Sequence, residues 1–180
     1  QAHKFYFMKG GAERYMLDIS ARLEERGNTV IPFAMQHPDS LITPYDRYFP
    51  SFVYTQNPKI SFQGLRTVGR MVYSREARVK MNRLIIDTQP DLCHVHSIYN
   101  QISPSILKAL KRKNVPVVMT VHDHHLVSPQ YNVYAQGCGE DLRDANLMRA
   151  TLSRFHKNSL LASGLQTFVF KLHRMMGMYR

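Results

Sequence analysis

The sequence predicts an α/β domain built on a Rossmann-like parallel sheet flanked by helices. Three observations predict it. Leu92-Cys93-His94-Val95-His96 and Pro116-Val117-Val118-Met119-Thr120-Val121-His122-Asp123 are short apolar runs that end in polar residues. Between them, from Ser103, apolar residues recur at helical spacing. Earlier, a helical pattern over Ala12 to Arg26 leads into the strand-like run Thr29 to Met35. Strand, helix and strand joined by short links form a crossover unit, and two such units imply a parallel sheet.

Bulk properties narrow the class. A chain of 180 residues can bury one domain's core. Its 44% hydrophobic content argues against disorder. No apolar run approaches the ~20 residues that span a bilayer, and no charged-then-apolar leader opens the sequence. Two cysteines, Cys93 and Cys138, are too few for a disulfide framework. The expected location is the cytoplasm. A net charge of +11 points to an anionic partner. Nucleic acid, anionic lipid and a phosphorylated small molecule all satisfy it.

The elements follow in order. Ala12, Met16, Ile19 and Leu23 form the inner stripe of a first helix, which Gly27 stops. Thr29 to Met35 reads as a strand. Residues from His37 to about Gly64 carry Pro38, Pro44, Pro50 and Pro58 among aromatics and read as an irregular excursion. Leu65 to Thr88 reads as one helix, with Val68, Val72, Val79 and Ile86 inward and Arg66, Arg70, Arg75, Arg78, Lys80 and Arg83 outward. Pro90-Asp91 breaks it. Ser103-Pro104 starts the next helix, a capping residue followed by proline. Ile106, Leu107 and Leu110 face inward there, and Lys108, Lys111, Arg112 and Lys113 outward. Pro116 to Asp123 reads as a buried parallel strand.

Four constellations could carry chemistry. In Lys9-Gly10-Gly11-Ala12-Glu13-Arg14, two glycines abut a helix N-terminus, where free N–H groups and the helix dipole favour a phosphate. The plainer reading is a tight turn that starts a helix. Five histidines, His94, His96, His122, His124 and His125, gather near the strand exits. His94 and His96 share a strand face, a spacing also found in metal sites. His122, beside Asp123, sits where ligands bind in open α/β sheets. It could orient a hydroxyl or stabilise developing charge, or simply cap the strand. Ser128-Pro129-Gln130-Tyr131-Asn132-Val133-Tyr134 could line a polar pocket or form a surface loop. In the tail, Leu161, Leu165, Phe168, Leu172, Met175 and Tyr179 make an apolar stripe on a helix expected from about Ser159 to Tyr179, with Lys157, Lys171, Arg174 and Arg180 adding charge. That pattern suits an anionic membrane surface or packing on the domain itself.

Taken together, these stretches resemble the N-terminal domain of retaining GT-B glycosyltransferases of family 4, bacterial type. The resemblance rests on Lys9 to Arg14 with its helix, Pro90 to His96, the helix from Ser103, and Val117 to Asp123. Tyr131-Asn132-Val133-Tyr134 and Lys157-Asn158-Ser159-Leu160-Leu161-Ala162-Ser163 extend it over nearly the whole chain. It implies that residues 1–180 are one Rossmann-like, acceptor-binding half of an enzyme whose donor-binding half is absent, so that the isolated piece is inactive. The intact enzyme would move a sugar from a nucleotide sugar to a hydroxyl of a saccharide or lipid-linked acceptor. Gly10 and Gly11 would lie near the donor phosphates and His122 by the reacting sugar. His96, Tyr99, Asp123 and Tyr131 would meet the acceptor. No metal and no further cofactor are implied, and no nucleic acid. The family's apolar first strand has only Gln1 to Met8 in its place, so that strand is expected to be missing or truncated.

Two rivals stand beside this reading. His94, His96 and His122 could hold a metal in a hydrolase. Alternatively, the charge could serve a nucleic-acid-binding domain, although the basic residues spread over several helix faces without a recognition motif.

Overall fold

The computed structural model describes residues 1–53, 62–132, 141–143 and 145–179. Contacts divide the chain into two compact units, Gln1–Thr55 with Gly69–His122, and Gln56–Val68 with Asp123–Arg180.

The first unit is α/β. Its named strands are β1 (Cys93–Val95) and β2 (Val117–Met119), paired in parallel with Cys93 opposite Val117 and Val95 opposite Met119. Ala2 widens the sheet by forming parallel bridges to both Val95 and Phe33. The Ala2 N–H donates to the His94 carbonyl at 2.8 Å, and the His96 N–H returns to the Ala2 carbonyl at 2.9 Å. On the other side, the His3 N–H donates to Phe33 at 3.0 Å and the Phe33 N–H to Gln1 at 2.9 Å. Residues 1–3 therefore occupy the first strand's place, truncated to a single bridged position. The expected strand Thr29 to Met35 is likewise reduced to the bridge at Phe33.

Helix α1 (Gly11–Glu25) buries Met16 and, unexpectedly, Glu13 and Ser20. Its end follows the predicted stop. Gly27 adopts φ +81°, the Asn28 N–H bonds to the Leu23 carbonyl, and the Gly27 N–H to Glu24. This paired closure satisfies two terminal carbonyls and needs a residue free of a Cβ penalty.

The excursion after Met35 is irregular as expected, with one short 3₁₀ turn at Asp46–Tyr48. Two of the outward basic residues hold it down. Arg70 donates to the Ser51 hydroxyl and carbonyl, both at 2.9 Å, and pairs with Glu76 at 3.0 Å. Lys80 donates to the Phe49 carbonyl at 2.5 Å. Arg70 and Lys80 are thus tied to backbone, not presented to solvent as a bare basic face.

The single helix expected over Leu65 to Thr88 is two helices, α2 (Phe62–Val72) and α3 (Arg75–Thr88). Ser74 causes the break, because its hydroxyl accepts the Ala77 N–H and caps α3. The restart shifts the phase of the stripe. Ala77, Met81, Leu84 and Ile85 are buried in α3, whereas Val79 and Ile86, expected inside, are exposed. Helix α4 (Ser105–Arg112) buries Ile106, Ala109 and Leu110 and exposes Lys108, Lys111 and Arg112, as the sequence predicts; Leu107 is half-buried.

A knot of three buried serines joins the starts of α3 and α4. The Ser103 hydroxyl accepts the Ser74 N–H at 2.9 Å and the Ser105 N–H at 3.3 Å. It donates to the Ser105 hydroxyl, which in turn donates to the Ser74 carbonyl, each at 2.8 Å. Ser103 pays for this with φ +64°, a conformation side-chain-bearing residues rarely adopt. The expected cap shifts by one residue: Pro104 stands at the N-cap of α4 with no side-chain cap bond, and Ser103, from a left-handed position, ties Ser105 to Ser74 instead.

β2 departs from expectation too. It was expected to be buried, yet Val117, Val118 and Val121 are exposed, Val118 by 50%. β2 pairs with β1 on one side, and among the described residues no strand lies on its other side. An outer strand presents more of its surface than a central one.

In the second unit, α5 (Leu147–Leu152) packs on α6 (Leu160–Met175), with Gly164 close against Thr151. A Cβ at Gly164 would come within 3.1 Å of the Thr151 hydroxyl oxygen. Leu142, Ala145, Ala150 and Phe155 form a small core.

Replacing Ser103 by Ala removes the acceptor for two buried amides. Stranding a buried donor costs ~1–3 kcal/mol. Urea unfolding of Ser103→Ala is expected to show a loss of about that size, and a variant as stable as the parent contradicts the serine knot.

Candidate functional site

The carboxyl edge of the small sheet gathers histidines. β1 places His94 and His96 on one side, as alternation requires, and their ring centroids lie 4.2 Å apart. His94 Nε2 is 2.7 Å from the Thr120 hydroxyl. His96 is fully buried. Its Nδ1 lies 3.0 Å from His122 Nε2, and its Nε2 lies 2.8 Å from the Gln1 amide oxygen. His96 and His122 stack with centroids 5.2 Å apart. The strand-exit histidine is thus held by a second imidazole, which is held by an amide.

Three residues of this cluster escaped the sequence reading. His3 is fully buried, 6.0 Å from the His96 ring, with its Nε2 3.6 Å from the Glu13 carboxylate. Its Nδ1 accepts the Phe5 N–H at 3.1 Å. Tyr15 meets the His122 ring edge-on at 5.4 Å. Glu13 had a legible signal, because it sits at i−3 and i−7 from Met16 and Ser20, the buried face of α1. His3 had none, since eight residues before a glycine pair show no periodicity.

The glycine pair lies at this same edge, because Glu13 and Tyr15 on the first turns of α1 touch the histidine cluster. Gly10 is extended, with φ −163°, so it is not a strained turn. A Cβ at Gly10 would stand 3.3 Å from the Glu13 carboxylate, while Gly11 faces open space. The first turn of α1 has no side-chain cap. Its leading N–H groups carry the partial positive charge that an anion seeks.

Other expected site residues do different work. Tyr99 is buried in the segment after β1. Asp123 accepts the His125 N–H at 2.9 Å and shapes the turn that follows the strand exit. In the second unit the Tyr131 carbonyl accepts the His124 N–H at 2.9 Å, and the Tyr131 ring stacks on buried His125 at 5.1 Å. His124 and His125 therefore anchor that loop. Val133, Tyr134 and Cys138 lie outside the described residues. Cys93 is a buried free thiol, its pKa raised by burial.

Residues 9–160 match the model of Glycosyltransferase Family 4. The chain belongs to that family. The match starts at the residue before the glycine pair and runs past both strands, so it takes in most of the histidine cluster as well as the α1 N-terminus. No curated protein and no solved structure matches the chain. A glycosyltransferase-type function follows. The two rivals gain no support, and among the described residues no group of three or more His, Cys, Asp or Glu is arranged to hold a metal.

The buried rings set how this glycosyltransferase responds to acid. Burial pushes the His3 pKa from 6.5 down to about 4, with the Glu13 carboxylate pulling the other way. Burial, then the rings of His94, His3 and His122, push His96 down to about 3. In the unfolded chain both rings protonate near 6.5. Between there and their folded values the unfolded chain binds more protons, so stability is lost as the pH drops. Melting temperature is expected to be flat with respect to these rings above pH 6.5 and to decline from pH 6.5 toward 4. Replacing His3 and His96 together by Gln should flatten that decline, and an unchanged slope in the double variant rules out the pair as its source.

Proposed function

We propose that this chain is the acceptor-binding half of a retaining GT-B glycosyltransferase that uses a nucleoside diphosphate sugar. The observation that carries the reading is the juxtaposition of His122, held by His96, with the uncapped α1 N-terminus at one sheet edge. An acceptor hydroxyl attacks the anomeric carbon, the bond from that carbon to the diphosphate oxygen breaks, and the hydroxyl proton passes to the departing diphosphate. The α1 amides beside Gly10 and Gly11 stabilise the charge that grows on the phosphate. His122 orients the sugar by hydrogen bonding. The open space at Gly11 leaves the backbone accessible to a phosphate. His96 and Tyr99, both buried, would act behind this surface, shaping the acceptor pocket more than touching it. Asp123 and Tyr131 remain the proposed acceptor contacts beyond the strand exit. The transfer needs no metal or additional cofactor in this reading.

The test is transfer from a panel of radiolabelled nucleoside diphosphate sugars to lipid-linked and polysaccharide acceptors by the intact enzyme with both halves, comparing the parent with His122→Ala. Turnover should fall by ~10²–10⁴-fold. The melting temperature should move little, because the ring lies only half-buried at the strand exit. Equal turnover in parent and variant removes the catalytic role, and a collapse in melting temperature makes His122 structural.

A second observation concerns the partner. Half of the expected α6 stripe faces outward: Leu161, Phe168 and Met175 are 51%, 45% and 82% exposed, Leu165, Leu172 and Tyr179 are half-buried, and Ser163, Gln166, Thr167, Val169, Phe170 and His173 are buried. We infer that this face, with Lys157, Lys171 and Arg174 near it, rests on an anionic membrane at the cytoplasmic side, where a lipid-linked acceptor resides. Each basic side chain near such a surface contributes about 1 kcal/mol, and apolar insertion adds to it. Sedimentation with phosphatidylglycerol vesicles at low salt should carry the protein down, and Phe168→Glu with Met175→Glu should abolish this. Failure to bind at low salt removes the membrane partner.

A further inference from the structure

The hydrogen-bond chain at the sheet edge has a direction. The Gln1 amide oxygen is an acceptor, so His96 carries its proton on Nε2 and donates it there at 2.8 Å. His96 Nδ1 then holds a lone pair, and the 3.0 Å contact to His122 Nε2 is closed only by a proton on that nitrogen. The neutral state of His96 is secured by its complete burial and by the rings of His94 and His3 around it. A charged His96 would have no lone pair to offer.

We propose that His96 is a positioning residue that locks His122 in the Nε2–H form and leaves Nδ1 as its hydrogen-bond acceptor. This rests on the reading of His122 as the residue that meets the sugar. The consequence is a specificity for chemistry: a locked Nδ1 lone pair accepts from a sugar hydroxyl. A ring free to exchange tautomers would present an N–H there for part of the time, against a hydroxyl hydrogen. The arrangement parallels the general pattern in which a buried acceptor fixes the tautomer of a working histidine, with a neutral imidazole in place of the usual carboxylate. Unlike a carboxylate, His96 adds no negative charge beside a site proposed to hold a diphosphate. The tyrosine ring of Tyr15, edge-on to both His96 and His122 at 6.0 and 5.4 Å, restricts their tilt.

The test reads the tautomer directly, by long-range proton–nitrogen correlation of the imidazoles in the nitrogen-15-labelled 180-residue protein, with no substrate present. The parent should show His122 as Nε2–H alone. His96→Phe, which offers no acceptor, should raise a measurable Nδ1–H population, and His96→Asn, whose amide oxygen can accept, should restore the parent pattern. Where His96→Phe does not fold, Gln1→Ala serves, since it frees the His96 tautomer and should broaden that of His122. A parent His122 in the Nδ1–H form, or a His96→Phe variant with the parent's tautomer, overturns the proposal. In the transfer assay His96→Phe should lower kcat by ~10–100-fold with a smaller change in donor KM, and His96→Asn should recover most of it. If His122→Ala retains full turnover, the reading of His122 fails whatever its tautomer. If His122→Ala is inactive but His96→Phe matches the parent in both tautomer and kcat, only the positioning role fails.

Discussion

The sheet hangs on one residue. Ala2 is the point where the segment around Phe33 and strand β1 are both joined by backbone hydrogen bonds. β1 and β2 contribute three residues each, and a ladder that short has little stability of its own. With residues 1–3 threaded between the Phe33 segment and β1, a four-segment parallel surface is fixed in the order Phe33, Ala2, β1, β2. The chain turns one way from Ala2 to Phe33 and the other way to β1. That reversal is where open α/β sheets form a ligand crevice. The same threading delivers Gln1 to His96 and His3 to Glu13, so the geometry of the site and the continuity of the sheet share one set of hydrogen bonds.

The site's electrostatics follow from packing imidazoles this closely. Four histidines from three segments crowd one edge, two of them fully buried. Burial and neighbouring rings at 4 to 6 Å lower the pKa values of His3, His94 and His96, which favours their neutral forms as directional donors and acceptors. Glu13, the acid beside His3, is itself buried next to Gly10. The result is an edge that is polar and hydrogen-bonding but not strongly charged, set beside a helix N-terminus that prefers an anion. That division of labour suits the proposed reaction, in which a diphosphate departs and a neutral sugar is transferred.

The chain's excess of positive charge is spent in two ways. Part of it is structural: Arg70 and Lys80 are bonded to the backbone and side chains of residues 47–51 and keep an otherwise irregular excursion in place. Part of it lies on the outer faces of α4 and α6. Counting basic residues along a helix cannot separate these uses, because the difference lies in whether a carbonyl from a distant segment arrives to meet them.

Much of the fold was legible in local pattern. The stripe of α4, the Gly27 stop, the irregular proline-rich stretch and the histidines at the strand exits follow from spacing, capping and strand alternation, which are properties of neighbouring residues. The glycine pair before a helix and the run to His122 likewise marked the family. What local pattern could not supply was decided by tertiary contact. The break at Ser74 depends on a hydroxyl 29 residues away, which rewards ending one helix and starting another. The outward turn of half the α6 stripe depends on Ser163, Thr167 and Gly164 finding closer packing than Leu161 or Phe168 could, since small residues let helices approach. The exposure of β2 depends on which strands pair, and the partnership of His96 with His122, and of His3 with Glu13, on residues brought together only when the sheet closes. Sequence alone determined which residue types stand at the strand ends; the tertiary structure decided which of them touch, because hydrogen bonds and burial are set by distance in space and not along the chain.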